Sequence, residues 1–223
     1  MKPHRITHAQ TYHGMPISPN SAAYGCHEEI LERIFELMVF STLKHSRVLF
    51  VRFDVHLPVD GNYPADNQLF TRFMDSFISN RTAAGLDPLY LWVREESTTG
   101  HQHWHCLALL QGNRSRVINE HLLVAERLWA KAIDCPNASG LIDHCLVEYN
   151  DSWLANGAMI MRNNADYQAV FADSFRRASY LAKTRTKGNA PDGVREFSSS
   201  RLPPSSQWLP AGITLPTFFQ RPS

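Results

Sequence analysis

Cysteine is scarce in this chain, and its few cysteines are scattered. The 223 residues include four of them, without a CxxC pair. A small disulfide-stapled fold needs closely spaced, paired cysteines, so that class is not indicated. We expect reduced thiols that serve packing rather than metal binding in an intracellular protein, and they are Cys26, Cys106, Cys135 and Cys145.

Long apolar runs and an excess of charge of one sign are missing as well. No window approaches the roughly 18 uninterrupted apolar residues of a membrane span, and the first twenty residues hold no apolar run of signal-peptide length. We therefore expect a cytoplasmic protein without a membrane partner. Lys+Arg 22 against Asp+Glu 21 gives a net charge of +1. This balance argues against a strongly basic nucleic-acid wrapper but leaves room for a local basic patch.

Apolar periodicity predicts helices and strands in the order α-β-α-β-β-α-β-β-α. The predicted helices span residues 26–44, 67–84, 116–133 and 166–186. The predicted strands span residues 47–56, 89–95, 103–110, 141–147 and 158–162. The central hairpin and the lack of a glycine-rich first turn disfavour a doubly wound fold. The sequence therefore predicts an α+β fold, a central antiparallel β-sheet with helices packed on its face.

Composition divides the chain into three parts. Residues 1–24 are polar and rich in proline without a sustained period, which predicts an irregular N-terminal arm. Residues 25–188 carry the predicted elements. Residues 189–223 are rich in proline and serine, which predicts a C-terminal tail with little regular structure.

Three histidines alternate along the second strand of the hairpin, His101, His103 and His105. Alternate residues of a strand share one face and lie about 6 to 7 Å apart. Two such imidazoles can chelate one divalent ion if a carboxylate, from Glu95 or Glu96 in the facing strand, completes the site. We favour His103 and His105, because they flank an apolar residue inside the strand while His101 is still leaving the turn. Without a metal, the same alternation is typical of a solvated strand face.

A tyrosine lies within the most basic stretch of the chain. Tyr180, Lys183 and Lys187 are three and four residues apart, which places them on one face of the predicted last helix. A tyrosine there can attack phosphorus, and a lysine one turn away can help deprotonate it or hold phosphate oxygens. Residues 174–189 contain five Lys or Arg and no Asp or Glu, a pattern expected of phosphate-backbone contacts. The candidate DNA-binding residues are Arg176, Arg177, Arg185 and Lys187.

The two patterns are complementary parts of one reaction. A metal polarises a phosphodiester, and a tyrosine attacks it in line. The 3′ oxygen leaves and the 5′ end stays on the enzyme as a phosphotyrosine, so rejoining needs no ATP. Taken separately, each pattern has an ordinary structural explanation, a wet strand face or a core tyrosine beside solvated lysines.

These residues resemble the HUH endonucleases that start rolling-circle replication. In that group a strand bearing His-hydrophobic-His precedes a helix bearing YxxK, which here corresponds to His103-Trp104-His105 and Tyr180-Leu-Ala-Lys183. More narrowly, the chain resembles the inovirus-type gene II replication proteins and the YagK/YfjJ C-terminal domain family of bacterial prophages. The matching stretches are VLFVRFDVHLP (48–58), WVREESTTGHQHWHCLALL (92–110) and FRRASYLAKTRTKG (175–188).

The resemblance implies that residues 25–188 are an HUH-type endonuclease domain with an RRM-like antiparallel sheet. It implies site-specific nicking of a single-stranded DNA origin, with a hairpin, and rejoining after replication, with Mg²⁺ or Mn²⁺ as cofactor. Carried over position by position, it gives the metal ligands His103, His105 and Glu95 (or Glu96 in its place), the nucleophile Tyr180 and its phosphate-binding or acid–base partner Lys183. On the first matching stretch, Asp54 is expected to be a structural or metal-proximal acid, and His56 is a lesser candidate.

The chain departs from parts of that pattern. No second tyrosine lies four residues from Tyr180, which argues against a paired-tyrosine mechanism, and Tyr167 is expected in the core. No GxxxxGK[ST] sequence is present, so unwinding would need a host helicase.

Three rival interpretations stay open at this point. The first is a relaxase or transposase of the same HUH class, which spacing cannot separate from a replication initiator. The second is a catalytically inert nucleic-acid-binding module with an RRM-like sheet. The third is a zinc protein that uses His101, His103 and His105.

Overall fold

Helices and antiparallel strands alternate along the computed structural model, which describes residues 5–19, 21–59, 61–97, 100–149, 152–154 and 156–208. The helices are α1 (Ser21–Tyr24), α2 (Glu28–Lys44), α3 (Gln68–Ala83), α4 (Ile118–Ala132) and α5 (Tyr167–Ala178), with 3-10 turns at Ser179–Ala182 and Ser205–Gln207. The strands are β1 (Ile6–Thr7), β2 (Thr11–Tyr12), β3 (Met15–Pro16), β4 (Cys26–His27), β5 (Arg47–His56), β6 (Leu89–Glu96), β7 (Gln102–Gln111), β8 (Ile142–Asp143), β9 (Val147–Tyr149), β10 (Ser152–Leu154), β11 (Gly157–Met161) and β12 (Phe197–Ser199).

The main sheet has six strands in the order β11-β5-β7-β6-β12, with β8 paired to the end of β5. All of its pairings are antiparallel. The long strands β5, β6 and β7 occupy the middle of the sheet, and the β6–β7 hairpin is the one expected from the sequence. The predicted α+β fold with a central antiparallel sheet is confirmed.

Helices cover both faces of this sheet, because side chains along each long strand alternate between two apolar layers. Val48 and Phe50 of β5 belong to a layer built with α2 and α5. Leu49, Val51 and Phe53 belong to the opposite layer, built with α3 and α4. The sheet is thus the middle of three layers.

The α3/α4 layer is rich in aromatic side chains. Trp104 stacks on Phe70 of α3 with ring centroids 4.5 Å apart, and it meets Trp129 of α4 edge-on at 6.0 Å. Its indole N–H donates to the side-chain oxygen of Asn67. Trp104 therefore points away from its neighbours His103 and His105, as alternation predicts.

On the α2/α5 face, the three central strands change from apolar to polar side chains at the same level of the sheet. We call this group the polar end of the sheet. Its members are Arg52, Asp54 and His56 of β5, Glu95 of β6, and His103 and His105 of β7.

The last predicted helix ends earlier than expected. Residues 166–186 were predicted as one helix, but α5 ends at Ala178 and continues only as the 3-10 turn Ser179–Ala182. Lys183 is then extended and forms an antiparallel bridge with Cys26. The long-range bridge overrides the local helical periodicity, so the single helix face expected for Tyr180, Lys183 and Lys187 does not form.

Short strands occur where the sequence suggested irregular chain. In the N-terminal arm, β1 pairs with β4 and β2 pairs with β3. In the tail, Phe197–Ser199 form β12, which pairs with the edge of β6. Edge pairing of this kind is decided by an available neighbouring strand rather than by local composition. The tail beyond residue 208 lies outside the described residues.

No helix in the described ranges is both long and apolar enough to cross a membrane.

Candidate metal and tyrosine site

Strand register brings the polar end of the sheet together. His105 lies opposite Asp54 on β5, and His103 lies opposite His56 on β5 and Glu95 on β6. Cross-strand neighbours in an antiparallel pair are about 5 Å apart, so one imidazole strand between two acid-bearing strands concentrates ligands on one face.

Glu95, His103 and His105 form a cluster with the spacing of a metal site. One ligand atom from each lies within 4.8 Å of the others. The Oε2 atom of Glu95 is 3.2 Å from His105 Nε2 and 3.8 Å from His103 Nε2. The side chain of Glu95 is 1% exposed. Among the described residues, His101 is not part of this cluster; it lies exposed where the chain leaves the hairpin turn.

Glu95 and Glu96 are adjacent in β6, so their side chains point to opposite faces of the sheet. Glu95 shares the face of the histidines, whereas Glu96 points to the other side, where its carboxylate lies 3.5 Å from Arg94. The structure therefore places Glu95, and not Glu96, with His103 and His105.

Two other residues of the polar end of the sheet, Asp54 and His56, contact the histidines of the cluster. Asp54 Oδ1 lies 2.7 Å from His105 Nδ1, on the opposite side of the ring from Glu95. A carboxylate at that position orients an imidazole and raises its basicity as a ligand. The ring of His56 stacks on that of His103, with centroids 5.4 Å apart.

Burial and neighbouring charges keep the carboxylates of Glu95 and Asp54 ionised and the imidazole of His103 neutral. Burial raises the pKa of Glu95, but contacts with His105 and the ammonium groups of Lys187 and Lys183 outweigh it and hold that pKa well below its usual value. For Asp54, burial is likewise outweighed by His105 and Arg52, and its pKa is lowered to about 2. Burial, reinforced by His105, lowers the pKa of His103 to about 4. At neutral pH both carboxylates are charged and His103 is neutral, as metal binding requires.

The donor set fits a divalent cation. Both ring nitrogens of His105 are buried and lack a hydrogen bond, although Nδ1 faces Asp54 and Nε2 faces Glu95. A buried nitrogen without a hydrogen bond is uncommon, and a metal ion beside Nε2 would give that atom a partner. Two imidazoles and a carboxylate are a mixed nitrogen and oxygen set, which suits a divalent metal.

Tyr180 lies directly beside this cluster. Its ring meets that of His105 edge-on, with centroids 5.5 Å apart. Lys183 donates a 2.5 Å hydrogen bond to the phenol oxygen of Tyr180, and its ammonium also lies 3.2 Å from Glu95 Oε2. Lys183 therefore contacts both the tyrosine and the cluster of Glu95, His103 and His105. Tyr180 lies on the 3-10 turn, and Lys183 is the extended residue that follows it.

Tyr180 lies on the 3-10 turn Ser179–Ala182, which we call the tyrosine turn. Long-range hydrogen bonds hold this turn in place. The backbone N–H of Ser18 donates to Ser179 Oγ at 2.7 Å. After the turn, the N–H of Thr184 donates to the carbonyl of Gly25, next to the bridge between Cys26 and Lys183. Ser18 of the N-terminal arm, and Gly25 and Cys26 just after it, thus position Tyr180.

The predicted basic face is not a single surface. Lys187 is buried, with its side chain 3% exposed, and its ammonium lies 2.6 Å from Glu95 Oε1. Arg176 and Arg177 both form ion pairs with Asp173. Of the four candidate DNA-binding residues, Arg185 is exposed, and its guanidinium lies over the ring of Tyr24.

Two members of the site were not predicted from the sequence. Arg52 lies with its guanidinium 4.9 Å from the centroid of the Tyr180 ring. Thr186 donates a 2.5 Å hydrogen bond to Glu95 Oε2. A signal for Arg52 was present, because it alternates with Asp54 and His56 in an otherwise apolar strand. Nothing local marks Thr186.

The model of the YagK/YfjJ C-terminal domain matches residues 7–200. The chain belongs to that family. The uncharacterized protein YfjJ of Escherichia coli (strain K12) is 24% identical over 212 residues, an alignment that covers 80% of this chain and 97% of the relative. No solved structure was found to match the chain. The family match includes β2–β4 and β12, so it extends beyond residues 48–58, 92–110 and 175–188, where the resemblance was seen.

Proposed function

We propose that this protein is an HUH-type endonuclease and ligase of single-stranded DNA that starts rolling-circle replication. The observation that carries the proposal is the meeting of Tyr180 and Lys183 with Glu95, His103 and His105. Phosphodiester transesterification needs a nucleophile, a cation that contacts the nucleophile's oxygen, and a set of ligands for one divalent metal ion.

The chain's own residues divide the work of the reaction. Tyr180 Oη attacks phosphorus and its proton passes to water, the bond from phosphorus to the 3′ oxygen breaks, and that oxygen takes up a proton from water. The 5′ phosphate remains bonded to Tyr180, and attack by a free 3′ hydroxyl reverses the step. Lys183 stabilises negative charge on the phenol oxygen that it already contacts. When bound to Glu95, His103 and His105, Mn²⁺ or Mg²⁺ would supply Lewis-acid polarisation of the phosphodiester.

Asp54 and Lys187 act through other residues in this proposal. Asp54 holds the ring of His105, so that Nε2 faces Glu95. Lys187 and Thr186 hold the carboxylate of Glu95 from the side away from the strand. Buried groups fixed in this way lose little entropy when a ligand arrives.

The proposed substrate is an origin of single-stranded DNA with a hairpin, and unwinding would fall to a host helicase. Of the predicted phosphate contacts, Arg185 and Arg176 are the ones with exposed side chains. Lys187 is assigned to Glu95 instead.

The test is covalent capture of DNA. The protein is incubated with Mn²⁺ and labelled single-stranded oligonucleotides, including hairpins from the DNA that flanks its own gene, and run on a denaturing gel. We expect a shifted protein–DNA band that disappears in Tyr180→Phe and in the presence of chelator.

Tyr167→Phe is the matched control, because that tyrosine begins α5 and donates to Thr42 rather than joining the cluster. It should keep the shifted band. Cleavage that survives in Tyr180→Phe would rule out the tyrosine mechanism. DNA that is bound but never cut or linked would favour the inert nucleic-acid-binding module, and the sequence of the cut site would separate an initiator from a relaxase or transposase.

A further inference from the structure

A buried arginine beside Tyr180 lacks the partners that such a group normally has. Arg52 is 8% exposed, and its Nε is buried without a hydrogen-bond partner. The nearest carboxylate oxygen, Asp54 Oδ1, lies 3.6 Å from its Nη2, beyond a good hydrogen bond. None of the described residues accepts a hydrogen bond from this guanidinium. Burying an arginine without full pairing is costly, so the position calls for an anion.

The neighbouring ions do not supply that anion. Asp54 already contacts His105 at 2.7 Å, and Glu95 already contacts Lys183 and Lys187. Another cation, Arg177 of α5, lies over the ring of Phe50 and is already paired with Asp173. Burial, with Arg176 and Arg52 contributing, lowers the pKa of Arg177 despite that pairing. Positive charge around the tyrosine therefore exceeds the negative charge that faces it.

The location of Arg52 indicates which anion it would meet. Its guanidinium lies 4.9 Å from the centroid of the Tyr180 ring, and Lys183 lies 3.8 Å from the same centroid. Both cations thus lie within 4.9 Å of the centre of the phenol ring. A planar guanidinium can bind two oxygens of a phosphate at once, whereas an ammonium acts as a point charge.

We propose that Arg52 is a phosphate-binding residue of this site, which holds the non-bridging oxygens of the phosphate attacked by Tyr180 and of the phosphotyrosine that results. The substrate part of this inference rests on the proposed function. Binding of a phosphate group as such does not, and the two are tested by separate measurements.

The first measurement uses inorganic phosphate as the probe. The full-length protein, in chelator, is melted in phosphate and in chloride at equal ionic strength. Wild type should gain about 3 °C in Tm at a phosphate concentration near ten times its dissociation constant. Arg52→Gln should lose most of the gain, and Arg52→Lys should keep part of it with a dissociation constant several-fold higher. Arg127→Gln, an exposed arginine on α4, should keep all of it.

The second measurement follows covalent adduct formation. Loss of an oxyanion-binding donor typically slows the chemical step about 100-fold. We expect Arg52→Gln to slow the adduct by about that factor, with Mn²⁺ affinity unchanged and DNA affinity weakened far less. Arg52→Lys should recover part of the rate.

The outcomes separate the two proposals. Equal phosphate stabilisation of wild type and Arg52→Gln overturns the assignment of Arg52, whatever the DNA assay shows. The same follows if Arg127→Gln loses the stabilisation, since phosphate would then be binding elsewhere. If Arg52→Gln fails to fold, Arg52→Lys decides, and unchanged phosphate affinity in that variant contradicts the assignment. An Arg52-dependent phosphate effect without any DNA cleavage supports the binding role of Arg52 and contradicts the proposed nuclease.

Discussion

At the scale of single residues, the site depends on pairs in which one group orients another. Asp54 fixes the ring of His105, and Lys187 and Thr186 fix the carboxylate of Glu95. None of these three supporting residues needs to touch a substrate. They orient the side chains of His105 and Glu95, so that Nε2 of His105 faces the carboxylate of Glu95.

Asp54→Asn tests this support directly. The asparagine keeps the shape of the side chain but removes the charge that faces His105 Nδ1. We expect the affinity for Mn²⁺ to fall about 10- to 100-fold, the usual effect of removing such a partner. Isothermal titration with Mn²⁺ measures it, and Asp75→Asn, on the exposed face of α3, is the control. Equal affinity in wild type and Asp54→Asn would show that His105 needs no such partner.

At the scale of elements, the tyrosine turn is held by the N-terminal arm and by the residues that follow it. Gly25, between α1 and β4, accepts the N–H of Thr184, and Cys26 of β4 pairs with Lys183. Gly25 makes that approach possible, because its φ is +74° and an added Cβ would lie 2.6 Å from a methyl group of Ile6. Strand β1 and the tyrosine turn thus meet at one glycine.

Gly25→Ala should lower the free energy of unfolding more than Gly14→Ala does, because the two have the same backbone strain but only Gly25→Ala adds a steric contact. Gly14 is the matched control, since its φ is +75° and nothing lies within 4 Å of an added Cβ. Left-handed strain costs about 1 kcal/mol at either position, and the contact with Ile6 adds about 1 kcal/mol more at Gly25. Urea unfolding measures both variants. Equal losses of unfolding free energy in the two variants would show that Ile6 of β1 moves aside without cost.

At the scale of the whole molecule, three layers share the stability, and the α3/α4 layer contains a buried histidine unconnected with the site. Arg81 donates to His121 Nδ1 at 2.9 Å, which leaves Nε2–H to donate to Ser115 Oγ at 2.8 Å. Burial, reinforced by Arg81, lowers the pKa of His121 to about 4. The folded protein therefore holds this imidazole neutral.

Stability should consequently fall as the pH drops from about 6.5 to 4. In that window the unfolded chain binds a proton that folded His121 does not, so its contribution is complete above pH 6.5 and is lost as the pH approaches 4. His103, whose pKa is also lowered to about 4, acts in the same direction.

His121→Gln isolates the histidine's share of this loss. The variant should lose about 1 to 2 kcal/mol less than wild type between pH 7 and pH 4, after allowance for solvent screening. Urea unfolding at both pH values measures the difference. Parallel losses in the two proteins would assign the acid sensitivity to other groups.

Prediction from sequence succeeded where the information was local. Strand alternation placed His103 and His105 on one face, and helical periodicity located α2, α3 and α4 to within two residues at each end. Glu95 was favoured over Glu96 only through the family resemblance. Prediction from sequence failed for α5, because the residues after Ala178 have helical spacing but form a 3-10 turn, after which Lys183 pairs with Cys26. It also misjudged Lys187, since a lysine in a basic stretch carries no sign of the buried carboxylate that it meets in space.

The amino-acid sequence by itself determined the α+β class, the antiparallel hairpin and the pair of histidines on one strand face, because alternation and periodicity depend on neighbours a few residues apart. Only the tertiary structure decided that Tyr180 sits on a 3-10 turn, that Lys187 pairs with Glu95, and that Arg52 lies against the tyrosine. The bridge between Cys26 and Lys183 joins residues more than 150 positions apart, and burial beside a partner so distant is set by packing of the whole chain.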